Sequence, residues 1–172
     1  MNISNSSPPK RFMVSAALFC LLSLSAGQGS ALLAASWSNI EPLRSRRADV
    51  ERQLGRPLAD QPGETGTLRF RVVGGTVTVS FVTAKFVQTK KLDPALEGTV
   101  LTIVLQHENA SDTPESLNLT NDSKFAREAK GDVVGYTNAR DGLAYTFIGG
   151  KLKTSYYAAS AAQLSRAQSK AK

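Results

Sequence analysis

The chain has one cysteine, one histidine and one tryptophan in 172 residues. Its cysteine, Cys20, lies inside an apolar run that ends near residue 24. If that run is removed, no thiol remains for a disulfide, a thiolate nucleophile or a cysteine metal site. With His107 alone, a zinc site or a Ser-His-Asp relay would have to draw every other member from distant parts of the chain. There is no Gly-x-Ser-x-Gly elbow, no His-Glu-x-x-His helix and no phosphate-cradling glycine loop. The Gly-Gly pairs stand between strand-like runs and read as turns. Acids are absent before Glu41.

The N-terminus has the zones of a secretory leader. Lys10 and Arg11 precede the apolar stretch FMVSAALFCLLSL, residues 12–24, and small residues follow through Ala31. The positive end is held back while the apolar stretch enters a bilayer. Residues 1–31 are therefore expected to be a signal peptide, cut before Leu32, and the protein to be periplasmic or secreted. An uncleaved anchor is the other reading, but Gly27 to Ser30 interrupt it. Phe19 before Cys20 is not the small residue that lipidation needs. Losing Lys10 and Arg11 takes the net charge from +7 to +5. That charge favours acidic partners, yet the basic residues are scattered and not interleaved with aromatics, which speaks against nucleic acid.

Residues 32–157 are expected to form one α+β domain. In PLRSRRADVERQLGRP, residues 42–57, Ser45 offers an N-cap, Val50 and Leu54 share a face, Gly55 suits the C′ position and Pro57 stops the helix. A helix over Arg46–Leu54 follows. TLRFRVV and TVTVSFV alternate around Gly74-Gly75, which predicts a hairpin with one buried face. Residues 85–98 read as an exposed loop, Thr99–Gln106 as a central strand, and 107–131 as polar chain with a possible short helix at Ser123–Lys130. Strands are expected at Val133–Thr137, Leu143–Ile148 and Leu152–Tyr157, the last two flanking Gly149-Gly150. The result is a two-layer domain, an antiparallel sheet of five or six strands with one short helix packed on it. The inward set is Val50, Leu54, Leu68, Phe70, Val72, Val77, Val79, Phe81, Leu101, Ile103 and Leu105. Residues 158–172, alanine-rich and basic, are expected to be a flexible tail that touches anionic surfaces weakly. Gly66–Phe81 and Gly142–Tyr156 echo one another as glycine, strand, Gly-Gly, strand, a possible duplication.

Segment 42–57, through Ser45, Val50, Leu54, Gly55 and Pro57, resembles the helix-to-sheet entry of small exported bacterial α+β domains. These include the lipoprotein of the outer-membrane barrel-assembly machinery and the β-lactamase-inhibitor-like proteins. Together with Trp37, Ile40 and YTNARDGLAYTFIGGKLKTSYY, residues 136–157, it more closely resembles a family of uncharacterised bacterial secreted proteins. Members of that family carry cysteine and tryptophan where this chain has KFVQTKKLDPALEG, so no role of those residues transfers.

The sequence assigns no catalytic, cofactor-binding or metal-binding residue. Glu97, Glu108, Asp132 and Asp141 lie near strand ends and could pair for glycoside chemistry. Asp112, Asn118, Asn121 and Asp122 lack the calcium-loop spacing. Tyr156 and Tyr157 must point to opposite faces of one strand. The expected function is a non-catalytic interaction module of the bacterial envelope, using the sheet or the 85–98 loop. Its partner would be an envelope protein or an anionic surface polymer. The alternative is a hydrolase acting on envelope polysaccharide through an acidic pair.

Overall fold

The alternating runs form strands as their period requires. Helix α1 is Arg47–Leu54, and strands β1 (Leu68–Val72) and β2 (Gly75–Phe81) make the first hairpin. Helix α2 (Ala84–Lys90) and a 3-10 turn (Pro94–Leu96) lead to β3 (Val100–His107). Strands β4 (Ala126–Lys130), β5 (Val133–Asn138), β6 (Leu143–Ile148) and β7 (Lys151–Ala158) follow, then helix α3 (Ala161–Ser169). This computed structural model describes residues 35–58 and 66–169. The expected leader, with Cys20, and residues 170–172 lie outside them. All described residues belong to one unit.

All seven strands join in one antiparallel sheet, ordered β1-β2-β3-β7-β6-β5-β4. The architecture is α+β, with one or two strands more than expected and three helices where one was expected. The C-terminal strand β7 sits at the centre, pairing Ile103 with Tyr157 and Leu105 with Ser155 on β3.

One face of the sheet is covered by two different means. Over β1, β2 and β3, Val50 of α1 and Ile40 pack with Leu68, Phe70, Val77, Val79, Phe81, Val100, Ile103 and Leu105. Leu54, Val72 and Tyr157 are half-buried against this cluster. Ten of the eleven residues expected inside thus gather here. Leu101 does not. The β2–β3 register shifts between Ser80 and Phe81, so that Phe81 pairs with Val100 and Ser80 with Thr102. Leu101 is the unpaired residue of this bulge and joins a separate cluster with Val82, Val87 and Leu92. Over β4–β7, the chain between β3 and β4 takes the place of a helix. Its Leu117, Leu119 and Phe125 pack on Tyr136, Phe147 and Leu152.

Four local readings are corrected by tertiary contacts. Helix α1 starts one residue late, because Ser45 is occupied elsewhere. Its Oγ accepts from Glu41 N at 2.9 Å, while Arg46 becomes the cap and its N–H donates to Asp49 Oδ2 at 2.9 Å. The Arg46 guanidinium lies across the chain, donating to the carbonyls of Ala95 (2.8 Å) and Glu97 (3.1 Å). Residues 85–98 are not a loop. Thr83 caps α2, accepting from Phe86 N at 3.2 Å, and Val87 and Leu92 are buried. Residues 126–130, where a helix was possible, form edge strand β4 with every residue exposed. The second hairpin follows β5 and no helix, so the echo reduces to two similar hairpins.

The C-terminal segment, expected to be a flexible tail, contains α3. Ser160 and Gln163 cap each other reciprocally, and Gln163 Nε2 donates to Glu41 Oε1 and the Pro42 carbonyl, both at 3.3 Å. Gln168 donates to the Lys90 carbonyl at 3.0 Å, and Ala167 is buried against the α2 cluster. Alanine suffices here because the facing surface supplies the large side chains.

Candidate functional site

The second sheet face carries a different chemistry. Register partners place Arg69, Thr78, Val104, Tyr156, Ala144, Thr137 and Ala126 in one row across all seven strands. The next row is Arg71, Thr76, Gln106, Thr154, Thr146, Gly135 and Glu128. Five of these fourteen residues are threonines, and Ser80 and Thr102 share a hydrogen bond further along the same face. Among the described residues no hydrophobic cluster forms over the middle of this face. Val82 and Leu101, with α2, close only one end of it. The parity of Tyr156 and Tyr157 comes out as expected: Tyr156 is 36% exposed, while Tyr157 packs into the covered face. Burial, the neighbouring Tyr145 charge and their shared hydrogen bond push the Tyr157 phenol up to about 12.

The lone histidine is less isolated than its position suggests. His107 Nε2 and Ser155 Oγ lie 2.9 Å apart on the covered face, and Asp112 is near enough to act on the ring electrostatically. All three residue types of a serine relay are therefore close together. However, Ser155 is 3% exposed, in the middle of a central strand between Leu105 and Tyr145, where no substrate carbonyl can reach its oxygen. Ser155 is better read as the group that orients His107. The imidazole lines a groove of about 380 Å³ with Trp37, Leu54, Val72 and Leu105. The sequence could not show this contact, which depends on β7 pairing with β3.

Desolvation lowers the His107 pKa below 6.5, opposed by Asp112. The unfolded chain then binds this proton more readily than the native state does. The native state's advantage is complete above about pH 6.5 and is lost as the pH falls through the depressed folded value. Urea midpoints of the wild type should therefore decline on acidification from pH 7 to 5. His107→Gln should flatten that part of the profile; an unchanged slope would assign the decline to other groups.

The four carboxylates considered for glycoside chemistry are dispersed. Glu97 precedes β3 and Glu108 follows it, and Asp132 and Asp141 flank β5 in the same way. The two residues at each end are three strands apart, about 14 Å at ordinary strand spacing. A glycosidase pair needs roughly 5–10 Å. Glu108 is held by both terminal nitrogens of Arg71, and Asp141 accepts from the Asn138 amide at 2.9 Å. Glu41 and Asp49 line a polar groove but pair with Arg44 and Arg52. The backbone N–H of Arg46, followed by the Arg52 contact, lowers the Asp49 pKa. No group of three or more His, Cys, Asp or Glu could hold a metal among the described residues. In the loop considered for calcium, Asp122 Oδ1 accepts from Lys124 N and Asn118 adopts a left-handed turn.

No protein-family model, no curated protein and no solved structure matches this chain.

Proposed function

We propose that this chain is an exported, non-catalytic interaction module of the bacterial envelope, and that it engages its partner through the uncovered sheet face. One observation carries the reading: a seven-stranded sheet whose first face is closed by α1 and the 108–125 segment, while its second presents Tyr156 in a field of threonines. A face made only for solvation would favour long charged side chains there. Here the middle rows carry Thr76, Thr78, Thr102, Thr137, Thr146 and Thr154, with Val104 and Tyr156 at the centre. Short hydroxyl groups lose little rotamer entropy on contact, and a tyrosine ring brings large area with few torsions. Export rests on the leader-like N-terminus, and the absence of a catalytic role on the dispersed carboxylates and the buried Ser155.

The test expresses the full chain, identifies the N-terminus of the recovered protein by mass spectrometry, and uses that protein as bait against envelope extract at physiological salt. The expected N-terminus lies between about Ala26 and Ser36, at the small residues a leader peptidase requires. A captured partner should be lost with Tyr156→Ala and retained with Arg52→Ala, which lies on α1 away from the face. An intact Met1 would refute the leader. Equal capture by both variants would remove the face from the function.

A further inference from the structure

The chain's single tryptophan stands at a tight two-residue turn. Trp37 and Ile40 exchange backbone hydrogen bonds of 3.1 and 2.8 Å, and both residues between them, Ser38 and Asn39, have positive φ (50° and 60°). Asparagine tolerates that conformation, whereas serine is strained in it. Ile40 is fully buried and fixes one end of the turn. The indole at the other end packs half-buried on the α1 cluster and lines the groove of about 380 Å³ with Leu54, Val72, Leu105 and His107.

Both ring nitrogens left free in this groove are donors. Neither the Trp37 indole nitrogen nor His107 Nδ1 has a hydrogen-bond partner among the described residues, yet no buried side-chain nitrogen or oxygen lacks one there. Both atoms therefore reach the accessible surface. The indole nitrogen can only donate. The imidazole is set by Ser155. That hydroxyl is buried, needs an acceptor for its own proton, and has His107 Nε2 as its partner. Ser155 thus donates to Nε2, and in the neutral ring Nδ1 carries the hydrogen. Desolvation favours the neutral ring. The surrounding charges do not select an ion: Asp112 acts on the imidazole, and Arg71 and Glu108 pair with each other.

We propose that this groove binds a small, uncharged aromatic compound bearing a hydrogen-bond acceptor such as a carbonyl oxygen. Its volume is that of a small-ligand cleft, roughly 300–1,000 Å³. The indole and the aliphatic walls take a flat ring, which has few torsions to lose. The acceptor meets the hydrogen on His107 Nδ1. A carboxylate in its place would meet Asp112, and a plain hydrocarbon would displace water from Nδ1 and leave that donor unpaired. The groove is separate from the uncovered sheet face, and the proposal does not depend on that reading.

The experiment uses the protein without a histidine tag, nitrogen-labelled for magnetic resonance, so that Trp37 and His107 supply the only indole and imidazole signals. At about pH 7.5, where the imidazole is neutral, it is titrated in turn with acetophenone, ethylbenzene and benzoate. The three share one ring and differ in the acceptor and its charge. The His107 signals should show the Nδ1-protonated tautomer. Acetophenone should move both ring signals to saturation. Ethylbenzene and benzoate should bind about fivefold more weakly or worse, the equivalent of one net hydrogen bond. His107→Phe keeps a ring in place and should remove the preference for acetophenone over ethylbenzene, read at Trp37; the wild-type results decide the matter even if that variant does not fold. An Nε2-protonated tautomer, ring signals unmoved by acetophenone, equal or tighter binding of ethylbenzene or benzoate, or a preference that survives His107→Phe would overturn the proposal.

Discussion

Phe70→Ala should destabilise the domain by about 3–5 kcal/mol, the cost of deleting a fully buried aromatic and leaving part of its cavity unfilled. Phe70 is completely buried on β1, opposite Val77, in the cluster shared by α1 and the sheet. β1 is an edge strand of five residues, held to the rest by one ladder, by this cluster and by the exposed Arg71–Glu108 ion pair. Removal of the ring loosens α1 and β1 together, because a helix of eight residues has little stability of its own. Against a typical total of about 5–15 kcal/mol, the variant should populate unfolded chain measurably at room temperature. Urea unfolding followed by circular dichroism measures the change as a lower midpoint at similar slope. A loss below about 1 kcal/mol would mean that the cluster does not hold the two layers together.

Removal of residues 160–172 should lower the melting temperature by roughly 10 °C. The deletion takes away Ala167, which closes the cluster of Val82, Val87 and Leu92, and the Gln163 and Gln168 side chains that reach Glu41, Pro42 and Lys90. Partial re-exposure of three aliphatic side chains costs about 2–4 kcal/mol, and each kcal/mol shifts the midpoint by roughly 2–4 °C in a domain somewhat larger than this one. Ala167→Asp in the full chain should move the midpoint in the same direction by burying an unpaired carboxylate. Differential scanning calorimetry of both variants distinguishes a docked helix from a flexible appendage; two unchanged midpoints would restore the latter.

How much could be read in advance varies from element to element. Helix α1 was legible because its signals are local: Val50 and Leu54 four apart, Gly55 able to take a positive φ, and a proline after it. The hairpins of β1–β2 and β6–β7 were legible because alternation brackets glycine pairs. The glycines themselves do not behave alike. Both of the second pair occupy the turn with positive φ. In the first, only Gly74 does; Gly75 lies within β2, where a Cβ would collide with the Gln106 carbonyl oxygen. Spacing alone cannot separate a glycine needed for its dihedral angles from one needed for close approach. Strand β4 was hidden because AREAK is made of good helix formers exposed on both faces, so only its pairing with Val133–Thr137 makes it a strand. Helix α2 was hidden because seven residues with two apolar anchors form a helix only when Leu92, Val82 and Ala167 meet them.

For the candidate surfaces the division follows the same physics. Strand parity alone puts Tyr156 and Tyr157 on opposite faces, since successive side chains alternate whatever the neighbours are. The composition determined the scarcity of thiol and imidazole chemistry, and the alternation determined an α+β domain with one apolar sheet face. The tertiary structure decided the strand order that carries β7 to the centre. It thereby set Ser155 beside His107 and kept the four carboxylates apart. Those outcomes depend on which strands pair and in what register. Pairing is settled by burial summed over contacts distant in sequence, which no local pattern contains.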